Sequence, residues 1–215
     1  MLTSIPGWSA KELSVLEALA TKVRMLTRAQ VARGWWAGNQ NSTRVATRHL
    51  SRLEAAGLIE RASIDAAPLL PLCGPVCIWD VQKPSPDARD VARSLISRWR
   101  EPSEPTTIFV ATKHLANVFG SFGGGLRDAL SGTHDLHLSE VYLHFIKHHP
   151  RDANDWRGED VFRKAGFGVK DPDALVLDKS GEVRKIVEFG GRYDHRRVAE
   201  FHQHCADRGL PYELW

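Results

Sequence analysis

The sequence predicts an α/β protein of the α+β kind in two units: a helical start closed by a β-hairpin, then a mixed sheet flanked by helices. Three observations predict it. Two helix-capping signatures and a helix-stopping glycine mark three helices before residue 58. Runs of β-branched and aromatic residues follow, separated by prolines. Beyond residue 130 the patterns intermix in the order helix, strands, helix, strand. The 215 residues suffice for two small domains, drawn at 1–82 and 106–215 with a helix-bearing linker at 83–105.

Ser9-Ala-Lys-Glu12 is a capping box, in which the Ser oxygen accepts an early backbone N–H and the Glu reaches back. Leu13, Leu16, Ala20 and Val23 then recur on one helical face. Thr27-Arg-Ala-Gln30 repeats the signature and opens a short second helix ending near Arg33. Residues 34–40 read as a turn, and Gly57 stops a third helix that starts at Asn41. Residues 58–61 and 76–79 read as the two strands of a hairpin across a Pro/Ala-rich loop. Three capped helices followed by a hairpin is the order of a winged helix-turn-helix.

The third helix is two-faced. Ala46, Leu50, Leu53 and Gly57 form an apolar stripe, and Arg44, Arg48 and Arg52 lie on the opposite side. Asn41, Ser42 and Thr47 flank the arginines. The pattern suits a recognition helix in a major groove, with guanidinium groups for phosphates or guanine edges. The alternative is a solvated basic face. Residues 1–63 carry nine Lys/Arg against four acids, whereas the whole chain has a net charge of only +3. A basic head on a near-neutral body points to a polyanionic partner, here double-stranded DNA.

In the second half, residues 87–100 read as a helix between prolines, 106–112 as a strand and 113–118 as a short helix. Residues 119–125 read as a flexible turn. A helix from Leu136 carries Leu138, Val141, Tyr142 and Phe145, and another is expected around 156–165, followed by a short segment at 167–170. Residues 173–178 and 183–189 read as strands joined by a turn. Asp194 caps a helix that turns Val198, Phe201 and Cys205 inward, and 211–215 is a final strand.

Asp173 opens the first of those paired strands and Glu188 closes the second. Two carboxylates at one end of a sheet can hold Mg²⁺ or Mn²⁺, which activates water against a phosphodiester. This arrangement, over residues 136–215, resembles the PD-(D/E)XK nuclease superfamily. The resemblance implies a restriction-endonuclease-like fold with Asp173 and Glu188 as metal ligands; Arg192 is read as lying near the phosphate. Position 190 departs from it, because Gly stands where that superfamily usually has Lys. Arg184 and Arg192 share the parity of Glu188 while Lys185 points the other way, and an arginine stabilises charge but is a poor base. Tyr193 is a candidate nucleophile of the relaxase kind, against a plain packing role.

A second resemblance spans more of the chain. The winged helix, then Thr133-His-Asp-Leu-His-Leu-Ser-Glu-Val-Tyr142, then the Pro-Asp and Glu-Phe-Gly-Gly strands are similar to the replication-relaxation family. It implies a DNA-binding protein of plasmid or mobile-element replication or mobilisation with a relaxase- or nuclease-like second half. Two readings follow: a DNA-binding protein with metal-dependent nicking, or a non-enzymatic regulator whose second unit serves dimerisation or protein contacts. The missing Lys favours the regulator and the retained acids favour the enzyme; a defence-type nuclease is a third possibility. The deciding observation is whether Asp173 and Glu188 converge in an open cleft or one is buried in a salt bridge.

Other residues have two readings each. Glu140 is a core acid or a surface one, Glu159 a third ligand or a first-turn charge, and His134 and Asp135 a site or a helix cap. Trp35 and Trp36 read as packing under the second helix, with one indole on the DNA backbone as the alternative. Three cysteines make no disulfide framework. Cys73 and Cys77 lack a second pair for zinc, and neighbouring histidines such as His148 and His149 diverge. The glycines at 123–125 precede no Lys-Ser/Thr, so no nucleotide cofactor is expected. With no apolar run of about 20 residues and no leader-like start, the expected location is cytoplasmic.

Overall fold

A computed structural model of the chain describes residues 7–126, 131–162 and 171–215. It is a mixed α+β structure with a three-stranded and a five-stranded sheet. In chain order the first elements are α1 (Ala10–Glu17), running on into a π-helical turn (Ala18–Lys22), β1 (Met25–Leu26), α2 (Arg28–Trp36), α3 (Ser42–Ala55) and β2 (Ile59–Ala66). Both capping boxes form, Ser9 with Glu12 and Thr27 with Gln30. Gly57, at φ +68°, makes the left-handed turn that ends α3. The apolar stripe of α3 is buried as its spacing requires, and Ala46, Leu50 and Leu53 pack with Leu16, Val31 and Trp36.

The strand partner of β2 differs from the sequence expectation. Residues 76–79 do not pair with it. Its partner is β4 (Glu104–Ala111), antiparallel from Ile59↔Ala111 to Ala66↔Glu104, and β4 pairs on its other side with β1. The sheet order is therefore β1-β4-β2. The physical reason lies in burial on both faces of β4. Phe109 and Ala111 join the core of the helical layer, while Ile108 and Val110 pack with Met25, Ile64 and Leu136. A strand covered on both sides belongs in the centre of a sheet.

The segment between β2 and β4 crosses to the second sheet. There β3 (Cys77–Trp79) pairs antiparallel with β8 (Tyr212–Leu214), and α4 (Ala88–Ile96) packs Val91, Ala92 and Leu95 against Val198, Phe201 and Cys205. The boundaries at 82/83 and 105/106 thus cut across both sheets, and 83–105 contributes a core helix where a linker was expected.

After α5 (Lys113–Val118) come α6 (Gly132–His148), α7 (Pro150–Asp155), β5 (Trp156–Gly158) and a 3₁₀ turn (Glu159–Val161). β6 (Ala174–Leu177), β7 (Val183–Glu188), α8 (His195–Ala206) and β8 complete the chain. The second sheet has the order β3-β8-β7-β6-β5, with β7 and β8 parallel and the other pairs antiparallel. The helix expected from 156 is instead β5. Trp156 is fully buried with its indole N–H on the Lys22 carbonyl, and Gly158 lies so close that a Cβ there would be 2.5 Å from the same oxygen. The segment expected at 167–170 lies outside the described residues. Lys22 donates its Nζ to the carbonyls of Asn154 and Trp156, which fastens the end of α1 to β5. α6 is shared, contributing Leu136 to the core beside the first sheet and Leu138, Val141 and Phe145 to the largest core. Among the described residues no helix is long and apolar enough to cross a membrane.

Candidate nucleic-acid surface and carboxylate cluster

The basic face of α3 starts from its uncapped N-terminus. Asn41 makes no side-chain capping bond, so the first-turn N–H groups carry the positive end of the helix dipole toward solvent. Arg44, Thr47 and Arg48 are exposed on the same side, and among the described residues Arg44 and Arg48 form no ion pair. Arg28, at the first position of α2, faces them across an open depression shared with Asn41 and Ser42. That depression adjoins a groove of about 660 Å³ between the helices and the first sheet, lined by Arg28, Thr43, Thr47, Arg61, Thr107 and Phe109.

Arg52 departs from the expectation of a free third arginine. Its guanidinium bonds the Glu12 carboxylate at 3.0 Å and the Gly7 carbonyl, and it lies 4.3 Å from the centre of the Trp8 ring. Glu12 is completely buried and accepts also from Ser9 and from the His49 ring, which stacks on Trp36. Burial raises the pKa of Glu12, but the bonds from His49 and Ser9 and the charge of Arg52 outweigh it and hold the group at about 2. Arg52 is thus a strut between α3 and α1.

The structure brings Asp173 and Glu188 together. Their residues are linked by the Asp173 N–H on Glu188 Oε2 at 3.3 Å and the Phe189 N–H on Asp173 Oδ2 at 2.7 Å. Asp173 is 6% exposed and Glu188 0%, and Glu188 lines a cavity of about 340 Å³ with Tyr193, Arg197 and Glu200, whose wall does not include Asp173. His134 Nε2 lies 3.0 Å from Asp173 Oδ2, and its Nδ1 lies 3.2 Å from Asp135. Burial opposes a charge on His134, yet Asp173 and Asp135 raise its pKa to about 10. His134 thus bridges Asp173 and Asp135, and the two carboxylates favour its protonated form. Glu188 is bonded in turn by the Tyr193 hydroxyl, whose pKa burial and the Asp173 charge push to about 12. The Tyr193 phenol is thus a hydrogen-bond donor to the Glu188 carboxylate. Arg192 stacks over Trp99 at 5.3 Å on the rim of a cleft of about 600 Å³, whose wall includes His134, Phe189 and Tyr193 rather than Asp173.

The acids continue beyond this pair. Arg24 bonds Glu159 at 2.8 Å and Asp160 at 3.1 Å and approaches Asp135 at 3.7 Å. Burial, with the charges of Asp160, Asp173 and Asp135 adding to it, raises the pKa of Glu159 against Arg24. Glu140 accepts from Arg33 and Gln30 and so joins α6 to α2. Arg184 and Lys185 are paired with Asp152, and Lys185 also with Glu213.

Gly190 explains itself by packing. A Cβ there would lie 2.9 Å from Leu95 Cδ1 and 3.0 Å from Leu214 Cδ1, both fully buried side chains. α4 has closed over the place where a lysine would start. Asp173, Glu188, Asp135, Glu159 and Asp160 are each bonded to protein donors. Among the described residues no three His, Cys, Asp or Glu side chains form a ready metal centre.

Sequence reasoning did not single out Arg24, Arg28 or Leu95. Arg28 had a local signal, since it follows the Thr27 cap directly; the other two act only through contacts distant in the chain. Comparisons with known protein families, with curated proteins and with solved structures find no match for the chain.

Proposed function

We propose that the chain binds double-stranded DNA in the winged-helix manner, with α3 in the major groove and the groove beside β2 and β4 against a phosphate strand. Its second sheet is a nuclease-like fold that no longer hydrolyses, and its role is that of a regulator in plasmid or mobile-element replication or mobilisation. The observation that carries this is the solvent-facing set Arg28, Arg44 and Arg48 around the uncapped start of α3. Guanidinium groups and first-turn N–H groups on one surface are what a phosphate backbone requires. The burial of Asp173 against His134 supports the non-hydrolytic half of the reading.

The test is a duplex-binding titration over a range of salt concentrations. Replacing Arg44 and Arg48 with Ala should weaken binding and lower the slope of log K against log salt by about 2. Unchanged affinity and slope would overturn the DNA reading. Supercoiled plasmid with Mg²⁺ or Mn²⁺ should stay intact, and nicking that disappears in Asp173→Asn would overturn the non-hydrolytic reading.

A further inference from the structure

His144 and His148 stand one turn apart on the last two turns of α6, and residues so spaced share a helix face. Their ring centres are 4.5 Å apart with planes inclined by 39°. Two imidazoles bound to one Zn²⁺ at a tetrahedral angle have their centres about 5 Å apart, so only a small ring rotation separates this pair from chelating geometry. We propose that His144 and His148 form a surface binding site for Zn²⁺, with water in the remaining positions.

Three features support the site. First, the His144 ring stands edge-on to the buried indole of Trp215 at 4.9 Å, which holds its orientation. Second, His148 is exposed and open to solvent and to an arriving cation. Third, the C-terminal end of a helix carries partial negative charge and favours a bound cation.

The donors are two imidazoles and no closed three-ligand cluster, consistent with the lack of a ready-made centre. Imidazole nitrogen selects Zn²⁺ over the hard ions Mg²⁺ and Mn²⁺. Ten residues of α6 separate His144 from His134, about 15 Å along the axis, so this site is distinct from the carboxylate cluster. It is also independent of the DNA reading.

The experiment is calorimetric titration of the full chain with zinc chloride, together with thermal melting. One Zn²⁺ should bind per chain, and the melting temperature should rise by several degrees once zinc exceeds its dissociation constant about a hundredfold. His148→Gln, at an exposed position that leaves the fold intact, should weaken binding at least tenfold, and His144→Gln should do the same. His204→Gln and Asp173→Asn should leave binding unchanged, and Mg²⁺ should not compete. Zinc affinity that survives His148→Gln, or no zinc binding by the parent chain, would overturn the site.

Discussion

Arg48 and Arg52 lie one turn apart on α3, yet their guanidinium groups meet different surroundings. Arg48 faces solvent beside Arg44, whereas Arg52 holds buried Glu12 and the Gly7 carbonyl. Arg52→Ala should therefore lower stability by about 1 kcal/mol, read from the urea midpoint, and leave the salt slope of duplex binding alone. His134 makes a second residue-scale prediction. Its folded pKa, about 10, lies above the ordinary 6.5 because Asp173 and Asp135 outweigh burial. A raised pKa stabilises the fold fully below 6.5, and that contribution is lost as pH rises through 10. Lys22 acts in the opposite sense, because burial lowers it to about 8 and its unfolded form binds the proton more tightly above that pH. Melting temperature followed from pH 6 to 10 should fall in the parent chain and fall less in His134→Gln. Parallel curves for the two would show that His134 carries no such charge.

α4 is the element that most changes what the second sheet can do. Asp87 caps it by accepting the Arg89 and Asp90 N–H groups, and Leu95 reaches Gly190 at the end of β7. Gly190→Lys should overpack this contact and cost about 2 kcal/mol, with no gain of plasmid nicking. Leu95→Ala alone should cost about 3 kcal/mol by opening a cavity. The double variant should cost less than the sum, since the space left by one change admits the other. Strict additivity in denaturant midpoints would mean that the two side chains do not meet in this way. The element scale also shows where reading the sequence stops. Residues 76–79 and 104–111 both carry strand signals, and nothing within either run tells which one pairs with β2. Burial on both faces of β4 decides it, and that depends on α6 arriving from beyond residue 131.

At the scale of the whole molecule the two sheets are interlocked. The chain leaves the first sheet at Ala66, places β3 and α4 in the second, and returns as β4. The crossing segment supplies Trp79, Val91, Ala92 and Leu95 to the core of the second sheet, and the largest core joins Phe109 of the first sheet to Val176 and Val187 of the second, so unfolding should be a single cooperative transition, with tryptophan fluorescence and far-UV circular dichroism coinciding. Two separated transitions would contradict the interlock. A fragment of residues 1–82 keeps α3 but lacks β4, leaving β2 unpaired and Ile59 and Ile64 uncovered. That fragment should fail to fold and should lose duplex binding, checked by circular dichroism and titration.

The sequence by itself determined what is held by near neighbours in the chain. The two capping boxes close over three residues, the stripe of α3 repeats with the helical period, and the turn between β6 and β7 is tied by Asp178 to Ser180 and Glu182. Those signals placed the first three helices, the basic face at Arg44 and Arg48, and Asp173 beside Glu188. Only the tertiary structure decided the state of those groups. His134 meets Asp173 across 39 residues and Arg52 meets Glu12 across 40. Leu95 comes from an inserted helix to fill the space at Gly190. A carboxylate's chemistry depends on which charge faces it and whether water reaches it. Both are properties of packing between distant segments, which local spacing does not encode.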